Sequence, residues 1–190
     1  GYTSQGVSYA SSSYYGLHAQ LFQSGVAGTS DKISACLQLA GTLTNPSGKT
    51  AFYASSKTYL SQSSETSITT TKQFYDFTLS GQSISASTNY YLAVHSTPDV
   101  DVSNEIRLYY DTTTGVDTGR DTTVYASLWP NPFVFDATYT TRNWSIYATY
   151  TAGGALGPAN LKTYNTNLKA NIKSINTNLI ANVKTLNTNA

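Results

Sequence analysis

The chain has 190 residues, a formal charge of +1 and only 11% charged residues, well below the usual quarter. So weak a field excludes a nucleic-acid binder that works by charge, and no apolar run approaches the ~20 residues of a membrane span. With 29 Thr, 24 Ser, 16 Tyr, 14 Asn and no Met, the composition suits pleated, half-polar surfaces rather than a helical bundle or an ordinary cytosolic enzyme.

Period-two alternation predicts the elements in order. Tyr15, Leu17, Ala19 and Leu21 share one face of a first strand, and a Gly-rich turn at 24–28 leads to Ile33, Ala35, Leu37 and Leu39 in a second. Asn45-Pro46-Ser47-Gly48 is a turn signal, followed by a short strand over 50–54 and a polar stretch with one weak strand near Ile68. Tyr75, Phe77 and Leu79 alternate next, then comes a strand over 89–95 that ends at Pro98, then Ile106, Leu108 and Tyr110. Gly115 and Gly119 mark a long polar loop, and 124–126 reads as a short strand. Pro130 and Pro132 keep the next segment out of any central strand, because proline donates nothing to a ladder. Trp144, Ile146, Ala148 and Tyr150 fall on one face of a closing strand over 142–150, with Trp144 and Ile146 expected in the core. Short strands without amphipathic helices between them predict an all-β, antiparallel β-sandwich, jelly-roll-like in topology.

The domain reading is a sandwich over 1–152, a Gly-rich linker over 153–158 and a repeat tail over 159–190. The tail repeats every 11 residues, and Leu161, Tyr164, Leu168, Ile172, Ile175, Leu179, Val183 and Leu186 follow one another at spacings of three and four. Eleven residues in three turns predict a helix with a slight right-handed supercoil. An extended reading stays open, since Asn and Thr are poor helix formers. One narrow apolar stripe cannot bury itself, so these eight residues are expected to pack on copies of the same chain. The charge divides accordingly. Four lysines (162, 169, 173 and 184) and no acid occupy the tail, while the body is mildly acidic. The sequence starts at Gly1 without Met, which suggests a processed product or a fragment.

The runs Asn89-Tyr90-Tyr91-Leu92, Ile106-Arg107-Leu108-Tyr109-Tyr110-Asp111, Trp129-Pro130-Asn131-Pro132 and Trp144-Ser145-Ile146-Tyr147 carry a loose resemblance. They resemble a β-sandwich module found in large extracellular proteins of uncultured microbes and their phages, itself similar to carbohydrate-binding and lectin-like jelly rolls. The Asn/Thr/Lys tail resembles repeats appended to phage and surface-fibre proteins. The resemblance implies an extracellular, cell-surface or virion component, and it brings no site residues with it.

Chemistry-bearing residues are few. His18 and His95 sit in alternating strands without a metal-ligand partner at fixed spacing, and Cys36 reads as a buried, inert thiol. There is no phosphate loop and no nucleophile elbow, so no catalytic residue is assigned. Asp99, Asp101 and Glu105 place hard oxygen ligands in one loop and are weak candidates for Ca²⁺, although their spacing is not that of an EF-hand. The expectation is no cofactor and no metal needed for folding. Trp129, Phe133, Tyr14 and Tyr15 fall in expected loops or strand ends, where flat rings could stack on sugars. The competing reading has Trp129 and Phe133 plug the end of the sandwich. Asn143-Trp144-Ser145 is a formal glycosylation sequon inside an expected strand. Two readings follow: a structural subunit of an extracellular filament, pilus-like fibre or virion fibre, and a carbohydrate-binding adhesin module oligomerised by its tail.

Overall fold

The computed structural model describes residues 1–11, 16–97, 101, 103–123, 125 and 128–153. The eight tail positions from Leu161 to Leu186, together with Tyr14, Tyr15 and Asp99, lie outside them. Gly1–Thr151 form one compact unit. The described residues contain no helix and two antiparallel sheets, a β-sandwich as the alternation predicts.

Thirteen strands are described: β1 (Ser8–Ser11), β2 (Leu17–Gln23), β3 (Gly28–Ala40), β4 (Ser47–Ala54), β5 (Tyr59–Gln62), β6 (Thr66–Ser67), β7 (Gln73–Ile84), β8 (Asn89–Ser96), β9 (Glu105–Thr112), β10 (Thr118–Asp121), β11 (Ala137–Tyr139), β12 (Arg142–Trp144) and β13 (Ile146–Ala152). The first sheet runs β1-β9-β3-β13, with β7 on β3 and β12 on β9. The second runs β11-β10-β2-β8-β4-β5, with β6 on β4. The pairing climbs like rungs. β1 pairs β9 with Tyr9 opposite Tyr109, β2 pairs β8 with Ala19 opposite Ala93, β3 pairs β7 with Ala35 opposite Tyr75, and β4 pairs β5 with Ala51 opposite Gln62.

Side chains alternate across each strand, and the core follows from that. Ile33, Leu37, Phe77, Ile106 and Leu108 of the first sheet meet Phe52, Leu92 and Val94 of the second, all buried. Trp144 and Ile146 are each 1% exposed and complete this layer. The closing strand is broken, however. Ser145 separates β12 from β13 at a fork, where its N–H donates to the Tyr109 carbonyl at 2.9 Å and its carbonyl accepts from Cys36 N–H at 2.8 Å. One short piece thereby serves β9 and the next serves β3.

The sequence reading differs elsewhere as well. The loop expected around Gly119 contains β10, which pairs β2 through Gly119 opposite Ala19. The stretch read as mostly polar loop forms β5 and β6. Tyr125, expected in a short strand, lies in a turn.

Candidate functional site

Both outer faces of the sandwich carry rings, and the two are covered differently. On the second sheet, Leu17, Ala19, Ala51, Tyr53, Tyr91 and Ala93 point away from the main core and make a second one with Trp129 and Phe133. Thr122, Thr123, Tyr125 and residues 128–136 form a strap over this face. Phe133 is 1% and Trp129 8% exposed. They pack on the outer face of the second sheet rather than plugging an end of the sandwich. The Phe133 ring meets Tyr53 at 4.7 Å and Tyr91 at 5.3 Å, both edge-on.

Carboxylates tie the strap down. Asp121 accepts from Thr123 N at 2.8 Å and Val134 N at 3.0 Å, and also from the Thr123 hydroxyl. Asp136 accepts from the Thr122 hydroxyl at 2.8 Å and Thr122 N at 2.7 Å, bonds that hold its carboxyl below the usual range. Lys57, at φ 66°, places its ammonium 4.1 Å above the Phe135 ring, and Lys49 lies 4.6 Å above Tyr125 while donating to the Tyr125 carbonyl at 2.7 Å. Burial pushes the Tyr125 hydroxyl up to about 12 and the His95 ring down to about 3, with Lys49 adding to the second effect.

The first sheet presents a different arrangement. The in-phase residues Ile106, Leu108 and Tyr110 face the main core, so Arg107 and Tyr109 face outward. Tyr9 on β1 stands opposite Tyr109, with ring centroids 5.8 Å apart. The Arg107 guanidinium lies 4.1 Å over the Tyr9 ring, and the Lys72 ammonium 4.1 Å over the Tyr109 ring. Arg107, Tyr9, Tyr109 and Lys72 thus form a ladder of cation, ring, ring and cation. Gln38 accepts the Tyr109 hydroxyl proton and donates to the Thr70 carbonyl at 3.0 Å. Tyr9 is 46% exposed. Cys36 is fully buried in the same sheet, and burial pushes its thiol up to about 11, so it stays protonated at neutral pH.

Residues 1–7 lie against this sheet and are tied by one carboxylate. Asp111 accepts from the Tyr2 hydroxyl at 2.7 Å, the Ser4 hydroxyl at 2.9 Å and Val7 N at 2.9 Å, which lowers its pKa. Gly6, at φ 61°, passes so close to Tyr110 that a Cβ would stand 2.7 Å from its backbone.

The remaining candidates are held in local contacts. Asp101 is exposed and closes a turn by accepting from Ser103 N at 2.7 Å and Asn104 N at 3.1 Å, which lowers its pKa. Glu105 is buried and pairs with Arg107 Nε at 2.7 Å. His18 is buried, its Nε2 lies 3.2 Å from the Ser11 carbonyl, and burial lowers its pKa to about 4. Asn143 of the sequon is half-buried, with its amide oxygen accepting from Gln20 Nε2 at 2.6 Å.

Compared with known proteins, the sequence matches no family model and no curated relative.

The ladder on the first sheet is the feature that strand-by-strand reading passed over. Its signal was present, because Tyr109 and Arg107 occupy the out-of-phase positions beside Ile106, Leu108 and Tyr110. Pairing β1 with β9, about a hundred residues apart, is what brings Tyr9 to them.

Proposed function

We propose that the chain is a non-enzymatic structural subunit of an extracellular filament, pilus-like fibre or virion fibre, and that its sandwich is a jelly roll. The rung order supports the jelly roll: β1 with β9, β2 with β8, β3 with β7 and β4 with β5 is a long hairpin wrapped into two facing sheets. The observation that carries the function is a division of labour along the chain. The body completes two cores from its own side chains, around Phe77 and around Tyr53, and ties its straps to Asp111, Asp121 and Asp136. The apolar stripe from Leu161 to Leu186 belongs to a separate repeated segment whose natural cover is other copies of itself.

Replacing Ile172 and Leu179 with Asp tests this by placing charge in the stripe alone. Light scattering should report assembly for the parent chain and loss of it for the double variant, with the melting transition unchanged. Assembly that survives both substitutions overturns the reading.

The ladder of Arg107, Tyr9, Tyr109 and Lys72 favours a second reading, a carbohydrate-binding adhesin module. Tyr9, 46% exposed on the edge strand β1, offers its ring to the flat C–H face of a sugar.

A further inference from the structure

We propose that the outer edge of β13 pairs with the same edge of a second copy of the chain, antiparallel and about a two-fold axis at Tyr150, so that the first sheets of two bodies join into one. The contact belongs to the body and is separate from any packing of the tail stripe.

β13 ends its sheet, and among the described residues no strand pairs with its outer edge. The other edges are short or crossed. β1 and β5 have four residues each and β11 has three. On β7, Ser63 stands opposite Leu79, and Ser64 N–H donates to the Thr78 carbonyl at 3.2 Å. β13 has seven residues, from Ile146 to Ala152, with neither a charge nor a proline to discourage pairing. Two bonds show which of its main-chain groups are open. The Ile146 carbonyl points away from β3 and accepts from Tyr2 N–H at 2.8 Å, whereas the Thr149 carbonyl points toward β3 and accepts from the Ser30 hydroxyl at 2.9 Å. These directions alternate along a strand, so the N–H and C=O groups of Ala148, Tyr150 and Ala152 face the open edge.

The sequence of this edge selects a second copy as the partner. Ala148-Thr149-Tyr150-Thr151-Ala152 reads the same in both directions. Turned about Tyr150, it sets that tyrosine opposite its own counterpart, Thr149 opposite the partner's Thr151, and Ala148 opposite the partner's Ala152. The open groups at 148, 150 and 152 then exchange about six hydrogen bonds. Threonine pairs and an aromatic pair are favourable neighbours across strands, and the alanines diagonal to each ring leave it room. Thr149 and Thr151 are exposed, while Tyr150 packs against the main core. On that inner side Ala148 and Tyr150 line a narrow cleft with Phe22, Phe52, Ile84 and Tyr90, and the partner's ring covers it. A strand from another protein would satisfy the main chain but not the reversed order of side chains.

Disulfide trapping in the full chain tests this register. Thr149→Cys and Thr151→Cys change exposed positions, and the buried Cys36 stays out of the reaction. Mixed and oxidised with diamide, the two variants should form disulfide dimers at least about tenfold faster than either alone, because only a 149–151 pair comes within bridging distance. Excess parent chain should slow the trapping. A chain carrying Thr149→Lys and Thr151→Lys should not, since lysine would face lysine across the axis. Thermal melts confirm that each variant folds. No trapping, equal trapping in the mixture and the single variants, or equal competition by the folded lysine chain overturns the proposal. Trapping should persist in chains that also carry Ile172→Asp and Leu179→Asp, and its disappearance there overturns a contact of the body alone. Light scattering keeps the two readings apart: assembly beyond a dimer that survives those aspartates, with trapping intact, sinks the tail reading and leaves the β13 pair standing.

Discussion

The imidazole of His18 lies edge-on to the indole of Trp144 inside the sandwich, with ring centroids 4.9 Å apart. Both residues are 1% exposed. A histidine in that position must be neutral, because a charge there would be stripped of water.

The first prediction is a loss of stability in mild acid. The folded His18 titrates at about 4 and His95 at about 3, against 6.5 for the free side chain. Between those values the unfolded chain binds protons that the folded chain refuses, so stability falls as the pH drops from about 6.5 toward 4. Each ring contributes on the order of 3 kcal/mol to that fall. Urea midpoints at pH 7.5 and pH 4.5 should differ strongly in the parent chain. The difference should shrink in His18→Phe, and an equal difference in both would show that His18 charges freely in the fold.

Trp144→Ala should destabilise the fold by about 3–5 kcal/mol. The indole is enclosed by His18 at 4.9 Å, Tyr110 at 5.1 Å and Tyr139 at 6.2 Å, so the vacated volume has little to collapse into it. Denaturant unfolding measures the cost, and an unchanged midpoint would contradict the packing.

One strap supplies a paired test. Phe133 is 1% exposed and Leu128, five residues earlier, is 92% exposed. Phe133→Ala should cost about 3–5 kcal/mol, while Leu128→Ala should stay within about 0.5 kcal/mol. Similar effects from the two would mean that Phe133 does not pack on the second sheet.

Asp111→Asn should loosen residues 1–7 without unfolding the sandwich. The acceptor for Tyr2, Ser4 and Val7 loses its charge, and charge-assisted bonds are about twice as strong as neutral ones. Hydrogen exchange at Val7 should quicken while exchange in β3 stays slow. Unchanged protection at Val7 would place the restraint elsewhere.

Much of the sandwich was legible because its inner faces alternate cleanly, as in Ile33-Ser34-Ala35-Cys36-Leu37 and Tyr75-Asp76-Phe77-Thr78-Leu79. Period two specifies a face, and the face with larger aliphatics is the core. What alternation could not say is that the second sheet buries both faces. Leu17, Ala19 and Leu21 alternate with His18, Gln20 and Phe22, and the aliphatic set lies under the strap while the set containing His18 and Gln20 points into the main core. Gln20 is tolerated there because its amide meets both Asn143 and Trp144 N–H, each at 2.6 Å. That compensation comes from more than 120 residues away and leaves no local signature. The same holds for the cations. Lys49, Lys57, Lys72, Arg107 and Arg142 all stand over rings, a habit that only tertiary proximity reveals.

The rung pairing also sets when the fold can close. β1 has no partner until β9 exists, about a hundred residues later, and β2 waits about seventy residues for β8. Such non-local contacts place the domain among slow folders, in the range of milliseconds to seconds. During synthesis at roughly 5–20 residues per second, the edge of β1 and the apolar side of β2 stay open for several seconds or more. The early strands are short where they are most vulnerable, four residues in β1, and Ser and Thr are plentiful among them. The more local pairs, β4 with β5 and β3 with β7, have both partners in hand well before Tyr109 can stand opposite Tyr9.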